Sequence, residues 1–97
     1  MVDKDKVAEE LEQCGAERVE LPKHVYDRAR RRNINPEDLE DKIMDKDFES
    51  VKINHQADIK FEKSYKVKIE LEGVLVEVPI YFNVPGPYIL VKSIWRG

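Results

Sequence analysis

Three side chains in the first third of the chain have the types and spacing for phosphate chemistry. His24, Arg28 and Arg32 are four residues apart, so on a helix they rise along one side, with Arg31 close by. An imidazole can move a proton near neutral pH. Guanidinium forks can hold a phosphate and stabilise the charge that develops on it in a transition state. A plainer reading stands beside this one. Arginine forms helix well and acidic segments flank this one, so the cations could simply pair with the chain's own carboxylates. Arg30 points to the other side of the helix and reads as a solvated charge.

A second group of cations falls in the second half. Lys60, Lys63, Lys66 and Lys68, with Tyr65 among them, can extend a groove for a phosphate backbone, and Tyr65 can stack on a base. The plainer alternative makes Lys66 and Lys68 the solvent side of an amphipathic strand, diluted by Glu62, Glu70 and Glu72. Ser93, Trp95 and Arg96 close the last strand, Trp95 reading as core or helix-packing. His55 sits in a polar stretch with no evident partner. Glycine-rich phosphate loops, nucleophile motifs and Cys/His pairs at zinc spacing are lacking, so nucleotide hydrolases and the common hydrolase types have no support. Neither a metal nor a cofactor is expected. The single cysteine, Cys14, cannot form an internal disulfide.

These residues must be positioned by helices in the first half and strands in the second. Val7, Leu11 and Cys14 make one apolar stripe, and Gly15 is placed to end that helix in the left-handed conformation. A second helix is expected from about Pro22 to Arg32 or Asn33, with Leu21, Val25 and Ala29 on its stripe. The third opens with Asn35 as cap and Pro36 in the first turn, buries Leu39, Ile43 and Met44, and forms a hairpin with the second. Period-two alternation then takes over. Val67, Ile69 and Leu71 form one strand, and Val74, Val76, Val78, Ile80 and Phe82 another, with a turn at Gly73. Pro79 cannot donate to a ladder and points to an edge, a bulge or a strand end. The last strand, Tyr88 to Trp95, is apolar on both faces and belongs in the sheet's interior. Val51–Ile53 and Ile59–Phe61 are weaker strands.

The 97 residues allow one domain, 1–97. Net charge is −3, but residues 21–35 carry +4 between acidic stretches at 1–20 (−4) and 36–50 (−5), and residues 51–97 carry +2. The lack of threonine, the two glutamines and the dense mixed charge resemble proteins from hot environments. No apolar run approaches the length of a membrane span, so the expectation is a soluble, cytoplasmic domain without a membrane partner.

The run from His24 to Leu39 (His24-Val25-Tyr26-Asp27-Arg28-Ala29-Arg30-Arg31-Arg32-Asn33-Ile34-Asn35-Pro36-Glu37-Asp38-Leu39) resembles the opening of small prokaryotic domains related to the RelE/ParE toxins, in the wider barnase–EndoU–colicin–RelE group. The close, Tyr88 to Trp95, is similar to that family's last strand, which ends in Thr or Ser. The resemblance covers residues 21–97 and leaves 1–20 as an extra acidic helix. It implies an α+β fold, a helical hairpin followed by an antiparallel sheet of about four strands. It also implies an RNA-binding or metal-independent RNA-cleaving ancestry in a toxin–antitoxin context. His24, Arg28, Arg32 and Ser93 match the family's polar positions, and Arg31, Lys66, Lys68, Tyr65 and Arg96 extend the RNA contact. The alternative is a non-catalytic interaction module, docking on an antitoxin-like partner or a second copy. Two features depart from the family: the chain is acidic where RelE-type toxins are strongly basic, and it carries the added N-terminal helix.

Overall fold

The computed structural model describes residues 3–54, 63–83 and 87–96, with Arg96 described by its backbone alone. Asp3 opens the first helix, α1 (Lys4–Cys14), its side chain accepting from the Lys6 amide at 2.8 Å and satisfying one of the donors that a helix start leaves over. Gly15 closes it at φ 67°, where a Cβ would be strained, and its N–H reaches the Glu12 carbonyl. Val7, Leu11 and Cys14 are buried in the same cluster as the sheet, so α1 is built into the single core rather than appended to it.

A three-residue strand follows, β1 (Arg18–Glu20), which the residue pattern does not announce. The second helix, α2 (Lys23–Arg31), buries Val25 and Ala29, with Pro22 at its cap position and not inside its first turn. Asn33 takes a left-handed φ of 61°, which lets the Ile34 amide bond back to the Ala29 carbonyl at 2.9 Å. That reversal buries Ile34 and delivers the chain to the third helix, α3 (Pro36–Met44). Here Asn35 caps as expected, its side chain accepting from the Glu37 amide at 2.9 Å. Leu39 and Ile43 are fully buried, and α2 and α3 touch.

The remaining strands are β2 (Ser50–Ile53), β3 (Lys63–Leu71), β4 (Val74–Phe82), β5 (Tyr88–Val91) and β6 (Trp95–Arg96). The β3–β4 hairpin turns on two residues of positive φ, Glu72 at 50° and Gly73 at 82°, the primed geometry that suits the sheet's twist. Strand order is β1-β5-β4-β3-β2, with β6 paired to β4. The expected four-stranded antiparallel sheet is thereby corrected to a larger, mixed one. Strands β2 to β5 do run antiparallel in sequence, but β1 adds in parallel to β5. The Ile59–Phe61 segment lies outside the described residues.

The expected final strand is in fact two. Ile80 pairs with Val91 and Glu77 with Trp95, so Val78 and Pro79 on β4 face three residues, Lys92, Ser93 and Ile94. One extra residue on one side is a β-bulge, and it lies opposite the residue that has no N–H to give. The helices cover one face, onto which Tyr65, Val67, Ile69 and Leu71 of β3 project with Val76, Val78, Ile80 and Phe82 of β4. No described helix is long and apolar enough to cross a membrane.

Candidate functional site

Val25 and Ala29 anchor α2 to the core, and their positions fix where its other side chains go. By helical spacing His24, Arg28 and Arg31 lie on one flank of the buried stripe, and Tyr26 and Arg30 on the other. Arg30 there stands 5.9 Å from the Tyr26 ring centre. The helix ends at Arg31. Arg32, expected within it, is the closing residue, and its amide bonds the Arg28 and Ala29 carbonyls. His24, Arg28, Arg31 and Arg32 are all exposed. Within hydrogen-bonding or ion-pair reach, no described carboxylate engages Arg28, Arg31 or Arg32, although the chain holds 20 acidic residues. The plainer reading required them to be neutralised internally, and among the described residues they are not.

The bulge supplies the second half of the site. His24 Nε2 lies 2.9 Å from the Lys92 carbonyl oxygen. A carbonyl only accepts, so Nε2 carries the proton, and in the neutral ring Nδ1 keeps its lone pair. Ser93, half-buried, is the next residue along. The irregular backbone thus brings the Lys92 carbonyl to the imidazole and fixes its tautomer. At the other end of α2, Arg31 and Arg32 border a shallow hollow of about 340 Å³ floored by Ile34, Val74, Leu75 and Val76.

The sheet lysines are elsewhere. Lys66 and Lys68 alternate with Tyr65, Val67 and Ile69, so they project from the face opposite the helices. The single groove in which the α2 cations and these lysines would share one surface is therefore corrected to two surfaces on opposite sides of the sheet. Tyr65 is corrected as well. It is 6% exposed under α1, and its hydroxyl donates to Glu10, whose carboxylate also holds Lys63 at 3.4 Å. Burial, and then the Glu10 contact, push its phenol far above the ordinary range. It is not a stacking residue. Its place was legible, because Tyr65, Val67, Ile69 and Leu71 are in one phase of the alternation. Trp95, expected in the core, is 36% exposed on the open face, with Lys66 Nζ 5.4 Å from its ring centre. Arg96 pairs by its backbone with Val76, and its side chain lies outside the described residues, as do Lys60 and His55.

Lys92 and Leu75 were not picked out by residue pattern. Lys92 Nζ stands 4.9 Å from the ring centre of the buried Tyr81, and Leu75, near the β3–β4 turn, is 36% exposed. The acidic counterpart is a cleft of about 440 Å³ where α3 ends beside the β3–β4 turn, lined by Asp38, Asp41, Asp45, Asp47, Glu49, Glu70 and Glu72 around Lys42. Among the described residues no three His, Cys, Asp or Glu converge as metal ligands. Comparison with family models, with curated proteins and with solved structures finds no match to this chain.

Proposed function

We propose that this chain binds RNA through the flank of α2 that borders the β5–β6 bulge, with Arg28, Arg31 and Arg32 on phosphates and His24 and Ser93 at the phosphate that reacts. The observation that carries the reading is a set of arginines left exposed and without a described carboxylate partner in a chain of net charge −3. Charge so displayed favours a polyanion, and phosphate contacts release counterions on binding. Net negative charge removes long-range attraction, so encounter is slow and the contact is local.

The chemistry this site can perform on a bound strand is transesterification. The ribose 2′-oxygen bonds to the adjacent phosphorus as the bond to the 5′-oxygen breaks, giving a 2′,3′-cyclic phosphate and a free 5′-hydroxyl. His24 Nδ1 takes the 2′-hydroxyl proton, while the Lys92 carbonyl holds Nε2–H in place. Arg28, one turn from His24, offsets the charge that builds on the phosphorane, Arg32 at the far end of α2 holds a neighbouring phosphate, Ser93 orients the reacting oxygens, and water protonates the departing oxygen. The test is incubation of a defined single-stranded RNA with the protein between pH 5 and 8, beside His24→Ala. Cleavage that falls about 10²–10⁴-fold in the variant supports the enzymatic part. No cleavage by the parent at any of these pH values removes it and leaves binding alone.

A second reading rests on the hollow beside Arg31 and Arg32, whose floor includes Val74 at 45% exposure and Leu75 at 36%. An apolar side chain flanked by carboxylates fits such a rim, as in a docking peptide or a second copy of the chain. Binding of that kind responds little to salt, whereas phosphate binding falls steeply.

A further inference from the structure

The face of the sheet opposite the helices, closed at Tyr81 and Ser64 and open at Trp95, carries a chemistry that the α2 site does not use. By register, the residues that alternate away from the core on six strands meet there. Two of its cations are already answered: Arg18 pairs with Glu20 at 2.7 Å, and Lys52 with Glu77 at 3.4 Å. Lys66 and Lys68 have no described carboxylate within 4 Å, Glu77 opposite Lys68 being held by Lys52, and Glu70 follows them in the same row. Aromatic rings are interleaved with the cations. Lys66 stands over Trp95 at 5.4 Å, Lys92 over Tyr81 at 4.9 Å and Arg18 over Tyr88 at 5.4 Å. Trp95 is the most open of these rings, and Lys68, Glu77 and Trp95 follow one another across three paired strands.

We infer that this face is a stacking platform for single-stranded RNA, with a base on Trp95 and the flanking phosphates on Lys66 and Lys68. The inference rests on the RNA reading above and adds to it the strandedness of the ligand and a second contact surface. Charge complementarity selects the occupant, since two unanswered ammonium groups beside an open indole suit a polyanion that also offers flat rings. A base–aromatic stack is worth more than an exposed cation–π contact, so a base displaces the Lys66 ammonium from the ring and frees it for the phosphate. A duplex hides its bases and cannot make this contact.

The chain has one tryptophan, so its emission reports on this position alone. The experiment titrates the full chain with a 10-nucleotide single-stranded RNA and with the same sequence as a duplex, reading Trp95 fluorescence and the anisotropy of labelled RNA. Saturable quenching by the single strand only is expected. Trp95→Ala should weaken binding about ten-fold or more, with Trp95→Phe intermediate, and Lys66→Ala/Lys68→Ala should lower the salt slope by about 0.7 per lysine. Binding that depends on Arg28→Ala but neither quenches Trp95 nor responds to Trp95→Ala overturns the platform and leaves the α2 site standing. The reverse pattern, loss with Trp95→Ala and none with Arg28→Ala, retains the platform and overturns the α2 site. Emission that shifts with protein concentration without RNA assigns the face to a second copy and overturns the inference, as does an absence of RNA binding.

Discussion

Helices α2 and α3 are neighbours of nine residues each, and they handle charge at their starts in opposite ways. In α3 the start agrees with the helix dipole, Glu37 and Asp38 in the first turn with Asn35 as cap, and so does Lys42 in the last turn, while Asp41 and the closing Asp45 stand against it. In α2 only the end agrees. Arg28, Arg30 and Arg31 sit at the negative pole, but Lys23 and His24 stand at the positive one, with no acidic residue in that turn and no side-chain cap. Stability explains the start of α3 and explains the α2 arginines in part. It does not explain a lysine at the positive pole. Local rules broken at one place without local gain mark where a fold is serving something besides itself. Here that place borders the bulge, where His24 meets the Lys92 carbonyl.

Substitutions can prise this contrast apart. The largest effect belongs to the shared core. Leu39→Ala in α3, at a fully buried position, should cost about 2–5 kcal/mol by denaturant melts and leave RNA affinity unchanged wherever the protein remains folded. Removing the α3 cap with Asn35→Ala should cost about 1 kcal/mol, again without touching binding. Lys23→Glu separates the two helices most cleanly. It corrects the dipole mismatch of α2, so stability should rise by about 0.3–1 kcal/mol while RNA affinity drops. A variant both tighter-binding and more stable would break the contrast.

The smallest effect tests the acidic side. Burial first, then Glu37, Asp41 and Glu20, raise the Glu40 carboxyl above its ordinary value. A carboxyl raised by folding is protonated more readily in the native state, so its charged form costs stability that appears as pH climbs through the window above the unfolded value. Glu40→Gln should therefore raise Tm at pH 7, within the roughly 0.5 kcal/mol reach of a surface change, and leave it unaltered at pH 3.

What could be read from residue order follows the range of the interactions. The Val7–Leu11–Cys14 stripe, the Gly15 close, the Asn35 cap and the β3–β4 alternation all depend on neighbours within a few positions. β1 does not: three residues with one apolar side chain become a strand because β5, about seventy positions away, offers an edge. The bulge has the same origin. Pro79 signals that something must yield, but only the pairing register reveals that three residues of the partner are spread over two. The α2 cations were legible as a row. That no described carboxylate engages them, and that Lys66 and Lys68 lie on the far side of the sheet, needed the tertiary arrangement.

The central claim is that the α2 arginines are available to phosphate. It is tested most directly by measuring single-stranded RNA affinity against salt for the parent and for Arg28→Ala/Arg32→Ala. The account predicts a steep fall for the parent, and for the variant a weaker affinity at low salt with a log–log slope shallower by about 1.4. Superimposable curves for the two proteins would contradict it.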